Sequence, residues 1–227
     1  MYKKKKILAI IPARSGSKRI KNKNIITFKN KPMILHALKI AKSIKFFDKV
    51  IVSTNSKKIK NICKMHGDTT PFLRDKYYDD KSSVHLATLR AVEQSENYFG
   101  KFDIVVQLMP NCPHRTKKCV ESAVRYFFRK KFKSQISFFK FNFSNPWWAH
   151  VLKRGKIKSL FKNFNLKRSQ DLPELFCPTG SVWISYTSVL KKYKSFYSPN
   201  YGFFLLDFKE AIDIDTVEEL KIAKKLI

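Results

Sequence analysis

The residues best suited to bind phosphate lie near the start of the chain. Five apolar residues, 7–11, favour a buried strand, and Pro12 marks its end because proline has no N–H for a sheet ladder. The segment that follows, residues 13–24, is rich in hydroxyls and strongly basic, and we call it the basic loop. Gly16 permits close backbone approach to an anion, serines and backbone N–H groups donate hydrogen bonds, and Arg14 and Lys23 supply charge. The loop predicts a phosphate site. An ordinary surface loop is the alternative, since the spacing matches neither Walker A nor G-x-G-x-x-G.

A second pair of reactive side chains lies near the end of the chain, where Asp213 and Asp215 flank Ile214. In an extended segment both carboxylates point the same way while Ile214 enters the core. Such an oxygen-rich site suits Mg²⁺, which prefers carboxylate, phosphate and water oxygens. The alternative is that Asp215 caps the last helix and Asp213 pairs with a lysine. Beside a phosphate-binding loop, bound Mg²⁺ would screen a nucleotide's charge and polarise its phosphorus, which favours the metal interpretation.

The elements that must position these residues follow an alternating pattern. Short apolar runs predict strands, and apolar residues at helical spacing behind Pro, Ser or Thr predict helices. The predicted strands are 7–11, 49–54, 103–109, 134–141, 178–185 and 201–206, and the predicted helices are 32–45, 56–66, 83–98, 117–130 and 217–227. This alternation predicts a mostly parallel sheet with helices on both faces. No internal repeat or linker divides the chain, so we expect a single domain over residues 1–227.

The character of the sequence changes over residues 142–171, where tryptophans, phenylalanines and aliphatic residues mix with lysines. A turn signal at 154–156 between two short apolar segments predicts a hairpin. Apolar groups on a projecting hairpin are often a subunit contact, so we expect a dimerisation arm. The alternative is a flap over the protein's own core.

Composition excludes several classes of protein. The 227 residues are 44% hydrophobic with 20 Phe, which excludes disorder, and no apolar run approaches the roughly 20 residues that span a bilayer. The first apolar run is too short for a signal peptide, so a cytoplasmic protein is expected. Four cysteines without Cys-x-x-Cys spacing predict reduced thiols.

The formal charge of +30 would suit nucleic acid, an anionic membrane or a small polyanion. However, only nine of the 47 basic residues are Arg and they are spread along the chain, which indicates compositional bias.

The motifs as a set are similar to those of a known family. The segment Ile11-Pro-Ala-Arg-Ser-Gly-Ser-Lys18, followed by Lys23-Asn24, resembles the signature of the acylneuraminate cytidylyltransferases, or CMP-sialic acid synthetases. The terminal Ile212-Asp-Ile-Asp-Thr216 is close to that family's metal-binding motif. Further segments agree in order and spacing: 52–55, Arg74 with 79–83, 110–116, and 170–173 leading to 179–181.

The resemblance implies a three-layer α/β/α nucleotide-diphospho-sugar transferase (Rossmann-like) fold with a projecting hairpin arm. It also implies that CTP and an acidic nine-carbon nonulosonic sugar give a CMP-sugar and pyrophosphate, for surface polysaccharide or glycan biosynthesis. Mg²⁺, a homodimer, and neither nucleic acid nor membrane as partner are expected. The implied catalytic residues are Arg14, Lys23, Asp213 and Asp215, of which both aspartates bind the metal. The implied CTP-binding residues are Ala13, Arg14, Ser15, Gly16, Ser17, Lys23, Asn24, Arg74 and Ser83. The implied sugar-binding residues are Arg115, Arg168, Gln170, Thr179 and Gly180, with Lys167 a further candidate for the sugar carboxylate.

The chain departs from the family pattern at two positions. Met109 stands where the family often has Gln, and the Asn-Gly-Ala turn is replaced by Thr179, Gly180 and Ser181. Three alternatives therefore stay open: activation of an octulosonate-type sugar, a catalytically silent relative, and a basic nucleic-acid-binding protein. The octulosonate alternative ranks lower because the Tyr-Gly-Ser-Thr-Arg-Leu-Pro loop is absent. Which sugar is used and which residue acts as the base are left undetermined by the sequence.

Overall fold

A six-stranded central sheet forms from the apolar runs of the sequence, and helices cover it. The computed structural model describes residues 1–141 and 145–226. The strands are β1 (Ile7–Pro12), β2 (Thr27–Phe28), β3 (Lys31–Pro32), β4 (Lys49–Ser53), β5 (Ile104–Gln107), β6 (Ser134–Lys140), β7 (His150–Lys153), β8 (Lys156–Ser159), β9 (Phe176–Tyr186) and β10 (Gly202–Leu205). The helices are α1 (Met33–Ser43), α2 (Lys57–Met65), α3 (Val84–Phe99), α4 (Lys117–Arg129), α5 (Thr187–Tyr193), α6 (Phe208–Ala211) and α7 (Val217–Lys225).

The central sheet is mostly parallel, as predicted. Its strand order is β10-β6-β9-β5-β1-β4. Strand β1 runs parallel to both β4 and β5, and β10 runs parallel to β6. The long strand β9 is antiparallel to both neighbours, β5 and β6. The chain runs from β1 to β4 on one side of β1, and the next strand of the central sheet, β5, lies on its other side. Ligands of open α/β sheets bind where the strand order reverses in this way.

Alternating side chains of β1 enter two separate cores. Ile7 and Ile11 belong to a cluster with residues of α1, α2 and α4, whereas Leu8 and Ile10 belong to one with residues of α3 and α5. All four side chains are fully buried. The sheet is therefore covered on both faces, which confirms the predicted three-layer α/β/α architecture.

Four helices begin where the sequence predicted a cap. The side-chain oxygens of Ser56, Ser83, Thr116 and Thr216 each accept a hydrogen bond from the backbone N–H three residues ahead. Thr216 also forms a reciprocal capping box with Glu219. The short helices α5 and α6 and the small β2–β3 hairpin were not predicted.

The predicted hairpin is present as β7 and β8, which form a two-stranded sheet separate from the central one. Residues 142–144, at the start of the expected arm, lie outside the described residues, as does residue 227 at the end of the last predicted helix. None of the helices described is long and apolar enough to cross a bilayer. The single-domain organisation stays a prediction.

Candidate active site

A cleft of about 420 Å³ lies beside the end of β1, and we call it the main cleft. Its walls come from four parts of the chain: the basic loop, the loop before α3, the loop after β5 and the acidic segment before α7. The lining residues are Pro12, Arg14, Ser17, Lys18, Arg19, Ile20, Lys23, Asn24, Arg74, Tyr77, Asp80, Ser82, Val84, Ala87, Met109, Asn111 and Asp215. The site is thus assembled by tertiary contacts between segments far apart in the sequence.

The basic loop and the acidic pair are in direct contact in the main cleft. Lys23 Nζ lies 2.5 Å from Asp215 Oδ1, although 192 residues separate the two in sequence. Arg19 also forms an ion pair with Asp215. The cations expected to bind phosphate and a carboxylate expected to bind metal therefore share one space.

Asp213 and Asp215 are held by Asn111, which follows β5. The segment that carries them lies between α6 and α7 and does not form a strand. Ile214 is fully buried and its N–H donates to the Asn111 carbonyl at 2.9 Å. The Asn111 side-chain amide donates to both carboxylates, to Asp215 Oδ1 at 3.2 Å. Burial of Ile214 thus directs both aspartates towards the same partner.

The two carboxylates have opposite pKa shifts. Burial, and then the negative charge of Asp215, raise the pKa of Asp213 to about 6. Burial also opposes ionisation of Asp215, but hydrogen bonds and charges from Lys23 and Arg19 more than offset it and lower its pKa. Asp213 is therefore the carboxylate that most needs a further cation at neutral pH.

The donor set at this position fits Mg²⁺. Magnesium is usually held by one or two carboxylates together with phosphate oxygens and water. Asn111 Oδ1 is buried and accepts no hydrogen bond from the described part of the chain, so an uncommitted oxygen lies beside the two carboxylates. No cluster of three or more His, Cys, Asp or Glu side chains that could hold a metal ion occurs within residues 1–141 and 145–226.

Four cations of the basic loop are paired with two aspartates. Arg19 and Lys23 contact Asp215, whereas Arg14 Nη1 and Lys18 Nζ each lie 2.6 Å from a carboxylate oxygen of Asp80. Hydrogen bonds from Lys18 and Arg14 hold the pKa of Asp80 below its ordinary value. Two carboxylates thus offset half of the charge of these four cations, which the sequence predicts to bind phosphate.

Local hydrogen bonds fix the shape of the basic loop. Asn24 Nδ2 donates to the Arg14 carbonyl at 2.9 Å. The Ser15 N–H donates to Asn55 Oδ1 at 2.9 Å, and Asn55 Nδ2 donates to Ser15 Oγ at 2.8 Å. Gly16 adopts φ +77°, a conformation that glycine takes without strain. These residues shape the loop around Arg14.

Arg74 lies buried at the wall of the main cleft. Its Nη1 donates to the Ser53 carbonyl at 2.9 Å, while its Nε has no partner among the described residues. Burial, and then the charge of Arg14, lower the pKa of Arg74 to about 10. A buried guanidinium with an unpaired donor is suited to a polar ligand group in the cleft.

The structure separates the predicted CTP-binding residues into two groups. Those lining the main cleft are Arg14, Ser17, Lys23, Asn24 and Arg74. Those that do not line it are Ala13, Ser15, Gly16 and Ser83. Ser83 caps α3, and its neighbour Ser82 lines the cleft in its place.

The prediction that Arg115 contacts the sugar is not supported by its position. Arg115 is 2% exposed, and its Nη1 donates to the carbonyls of Ser181 at 2.6 Å and Met109 at 3.1 Å. It therefore ties the loop after β5 to strand β9 beneath the site. The sequence misled because Arg115 lies in a turn-rich loop, where an arginine is normally exposed.

Two other predicted sugar-binding residues belong to the arm. Arg168 is exposed and pairs with Asp171. Gln170 lines a separate cleft between the arm and the end of β6, and Lys167 lies over the ring of Phe164. None of the three lines the main cleft.

A second cleft of about 360 Å³ adjoins the main cleft. The two share Arg19 and Asp215, and the second is also lined by Asp213 and by Thr179. An added Cβ at Gly180 would lie 2.6 Å from Met109 Cγ and 3.4 Å from Asp213 Oδ2, so this position leaves no room for a side chain. Thr179 and Gly180 thus lie at the wall between the acidic pair and the second cleft.

Six polar or charged residues of the main cleft were not named as site residues from the sequence. They are Lys18, Arg19, Tyr77, Asp80, Ser82 and Asn111. Lys18 and Arg19 carried a signal, since both lie in the basic loop. Asp80, Ser82 and Asn111 lie in segments 79–83 and 110–116, which resemble those of the family, but their residue types alone carried no signal, and neither did that of Tyr77.

Comparisons with known families and with known proteins both relate this chain to cytidylyltransferases. The family model described as Cytidylyltransferase matches residues 8–170. The chain is 30% identical over 224 residues to the pseudaminic acid cytidylyltransferase of Campylobacter jejuni subsp. jejuni serotype O:23/36 (strain 81-176), covering 97% of this chain and 96% of the relative. It is 29% identical over 226 residues to the CMP-N,N'-diacetyllegionaminic acid synthase of Legionella pneumophila subsp. pneumophila (strain Philadelphia 1), covering 98% and 96%.

A solved structure supports the fold. The chain resembles CMP:2-keto-3-deoxy-manno-octonic acid synthetase complexed with CTP, with a TM-score of 0.72 over 96% of this chain and 97% of that one. The two sequences are 16% identical, so this likeness concerns the fold alone.

Proposed function

Because the chain belongs to the cytidylyltransferase family, we propose that it transfers CMP from CTP to an acidic nonulosonic sugar and releases pyrophosphate. The observation that carries the proposal is the contact of the basic loop with Asp215 in the main cleft. Relatives named for pseudaminic and N,N'-diacetyllegionaminic acid support this class of sugar. An octulosonate-type sugar is the second candidate, suggested by the fold likeness alone. The product would serve surface polysaccharide or glycan biosynthesis.

The triphosphate would lie along the basic loop. Arg14, Lys18 and Lys23 present cationic groups to the main cleft, and Arg74 presents a buried guanidinium. Attack on the α-phosphorus builds negative charge on its oxygens, and preorganised cations stabilise that charge without rearranging during the reaction. The same cations neutralise the leaving pyrophosphate.

Asp213 and Asp215 would hold Mg²⁺, with Asn111 orienting both carboxylates. When bound, Mg²⁺ supplies charge neutralisation and polarises the phosphate oxygens. Lys23 and Arg19, which pair with Asp215 in the structure, would then be available to phosphate.

The reaction is a substitution at phosphorus. The oxygen of a sugar hydroxyl bonds to the α-phosphorus, and the bond from that phosphorus to the bridging oxygen of pyrophosphate breaks. The hydroxyl proton passes to a base, for which one of the aspartates is the candidate.

The sugar would enter the second cleft, which adjoins the acidic pair. Thr179 lines this cleft, and the Gly180 backbone packs closely against Met109 and Asp213. Arg19 lies at the boundary between the two clefts. This arrangement would bring a sugar hydroxyl close to the position of the α-phosphate.

The arm would form a homodimer contact. Its hairpin leaves apolar side chains in solvent, with Leu152 69% and Ile157 70% exposed, and Leu166 beyond it is fully exposed. Trp147 packs on Phe164 at 4.4 Å between ring centroids, which gives the arm its own small core. An exposed apolar hairpin that is supported by its own small core is suited to pack against a second copy of the chain. Cytoplasmic location stays a prediction.

The test is a pyrophosphate-release assay with CTP, Mg²⁺ and a panel of acidic sugars. The panel contains pseudaminic, N,N'-diacetyllegionaminic, N-acetylneuraminic and 3-deoxy-octulosonic acids. We expect turnover with one or more of the nine-carbon sugars, and its loss in Asp215→Asn. Glu218→Gln is the matched control, since it removes an exposed carboxylate three residues away that lines neither cleft. No turnover with any nine-carbon sugar, or full activity of Asp215→Asn, would contradict the proposal.

A further inference from the structure

We propose that Asp80 is an internal competitor for the phosphate-binding cations, and that its competition promotes release of pyrophosphate. The inference rests on the proposed function, because it assigns a role in the product-release step of that reaction. Its basis is the double ion pair that Asp80 makes in the main cleft.

Asp80 engages two cations of the basic loop at once, as two oxygens of a phosphate group could. Its Oδ1 lies 2.6 Å from Arg14 Nη1 and its Oδ2 lies 2.6 Å from Lys18 Nζ, so each oxygen engages one cation. Arg14 and Lys18 both line the main cleft, as does Asp80 itself. A phosphate group bound by the same two cations must displace this carboxylate or share them with it.

The loop that carries Asp80 is built so that the carboxylate can leave. Residues 75–81 are exposed, and the loop is anchored at its ends instead of its tip. At one end Asp75 pairs with Arg90 of α3, and at the other Ser83 caps the same helix. The side chain of Asp80 contacts only cations of the basic loop among the hydrogen bonds and ion pairs described.

The two aspartates that neutralise the basic loop have different further contacts. Asp215 is also held by Asn111 and lies beside Asp213, where a divalent cation would bind it. Among the described ion pairs, Asp80 contacts only Arg14 and Lys18, and a cation arriving at Asp213 would not release it from them. Only an anion can take its place, and the anions of the reaction are the triphosphate and pyrophosphate.

Competition with Asp80 lowers the affinities for CTP and for pyrophosphate by a similar factor, but the affinity that remains differs between the two ligands. CTP retains contacts through its base and ribose when its phosphates compete with Asp80, whereas pyrophosphate binds through its charges alone. The carboxylate therefore weakens a ligand that has no other hold on the protein, and it can return to the cations as pyrophosphate leaves. Since exposed ion pairs are individually weak, we expect the effect on affinity to be roughly three- to tenfold.

The test compares Asp80→Asn with Asp79→Asn and Asp80→Glu. Asp79 carries the same charge one residue earlier, does not line the main cleft and accepts hydrogen bonds from the N–H groups of Lys81 and Ser82, which asparagine can also accept. Inorganic pyrophosphate, CTP and cytidine are titrated into each variant by calorimetry, and pyrophosphate inhibition of turnover is measured. We expect Asp80→Asn to bind pyrophosphate roughly three- to tenfold more tightly and to be inhibited at correspondingly lower concentration. Cytidine affinity should not change, and the other two variants should stay near wild type.

The outcomes separate this inference from the proposed function. Unchanged or weaker pyrophosphate binding in Asp80→Asn overturns the inference, while CTP turnover by the same preparation leaves the function standing. Weaker binding of CTP and cytidine with unchanged pyrophosphate would show that Asp80 binds the ribose, which also overturns it. Tighter pyrophosphate binding in a protein that does not turn over CTP would support the competitor and reject the function.

Discussion

Replacing Asp213 by asparagine should stabilise the metal-free protein at pH 8. The pKa of Asp213 rises from an ordinary 3.8 to about 6 on folding, a difference of about 2 units, which corresponds to ~3 kcal/mol at 1.36 kcal/mol per unit. Asp213 is only half-buried, and solvent screening reduces the expected effect to about 1–2 kcal/mol. Asparagine keeps an oxygen for the Asn111 amide and carries no charge.

The sign of the pH dependence follows from proton binding. A raised native pKa means that the native state retains a proton that the unfolded state has released, so wild type loses stability as pH rises from about 4 through 6. Asp213→Asn has no carboxyl group at this position, so it does not lose stability in this way as the pH rises. The free-energy difference between Asp213→Asn and wild type should therefore be near zero at pH 4 and reach its full value above pH 7.

The assay is urea unfolding in EDTA at pH 4 and pH 8, repeated at pH 8 with Mg²⁺ and CTP. We expect the ligands to stabilise wild type and to stabilise Asp213→Asn much less, because the variant lacks one metal ligand. Asp215→Asn is the opposite control: its lowered native pKa contributes stability present above pH 4, so its loss should destabilise the protein at pH 8. A stability difference for Asp213→Asn that is equal at both pH values would refute this account of the acidic pair.

Three further predictions concern positions around the site. Arg115→Met should lower the free energy of unfolding by about 2–4 kcal/mol in urea titrations, because it leaves two backbone carbonyls without a buried donor. If the proposed homodimer forms through the arm, Leu152→Ser with Ile157→Ser should give a monomer in light scattering while leaving the melting temperature of the monomer unchanged, since both side chains are exposed. Gly180→Ala should reduce kcat about tenfold or more with a smaller change in the KM for CTP, because its Cβ would displace Met109 and crowd Asp213.

The framework of the fold was predictable because its signals are local. A run of apolar residues ended by Pro12 gives β1, and Ser56, Ser83, Thr116 and Thr216 stop the backbone from fraying at the start of four helices. Helix α5 was missed because it has seven residues and no side-chain cap, so no local signal distinguishes it from the end of β9. Antiparallel pairing of β9 likewise depends on its partners and not on its own sequence.

The candidate site was predictable only where one segment carries the chemistry. Arg14, Lys23 and the acidic pair are evident from residue type and spacing. Asn111 is not, because its importance comes from a contact with Asp213, 102 residues away. Arg115 was wrongly assigned for the complementary reason: its residue type suits a ligand site, but tertiary packing buries it among backbone carbonyls.

In the main cleft, the overall charge of +30 affects phosphate binding less than two aspartates do. Every protein cation attracts phosphate at long range, but within a Debye length of about 8–10 Å the nearest charges dominate. In the main cleft those charges are Arg14 and Lys18 against Asp80, and Arg19 and Lys23 against Asp215. Each carboxylate pairs with two cations, and we propose that a metal at Asp215 or a phosphate at the cations of Asp80 releases them. A strongly basic protein with unpaired cations in its cleft would bind any polyanion. Cations that are paired with carboxylates favour a ligand that brings both a metal and phosphates.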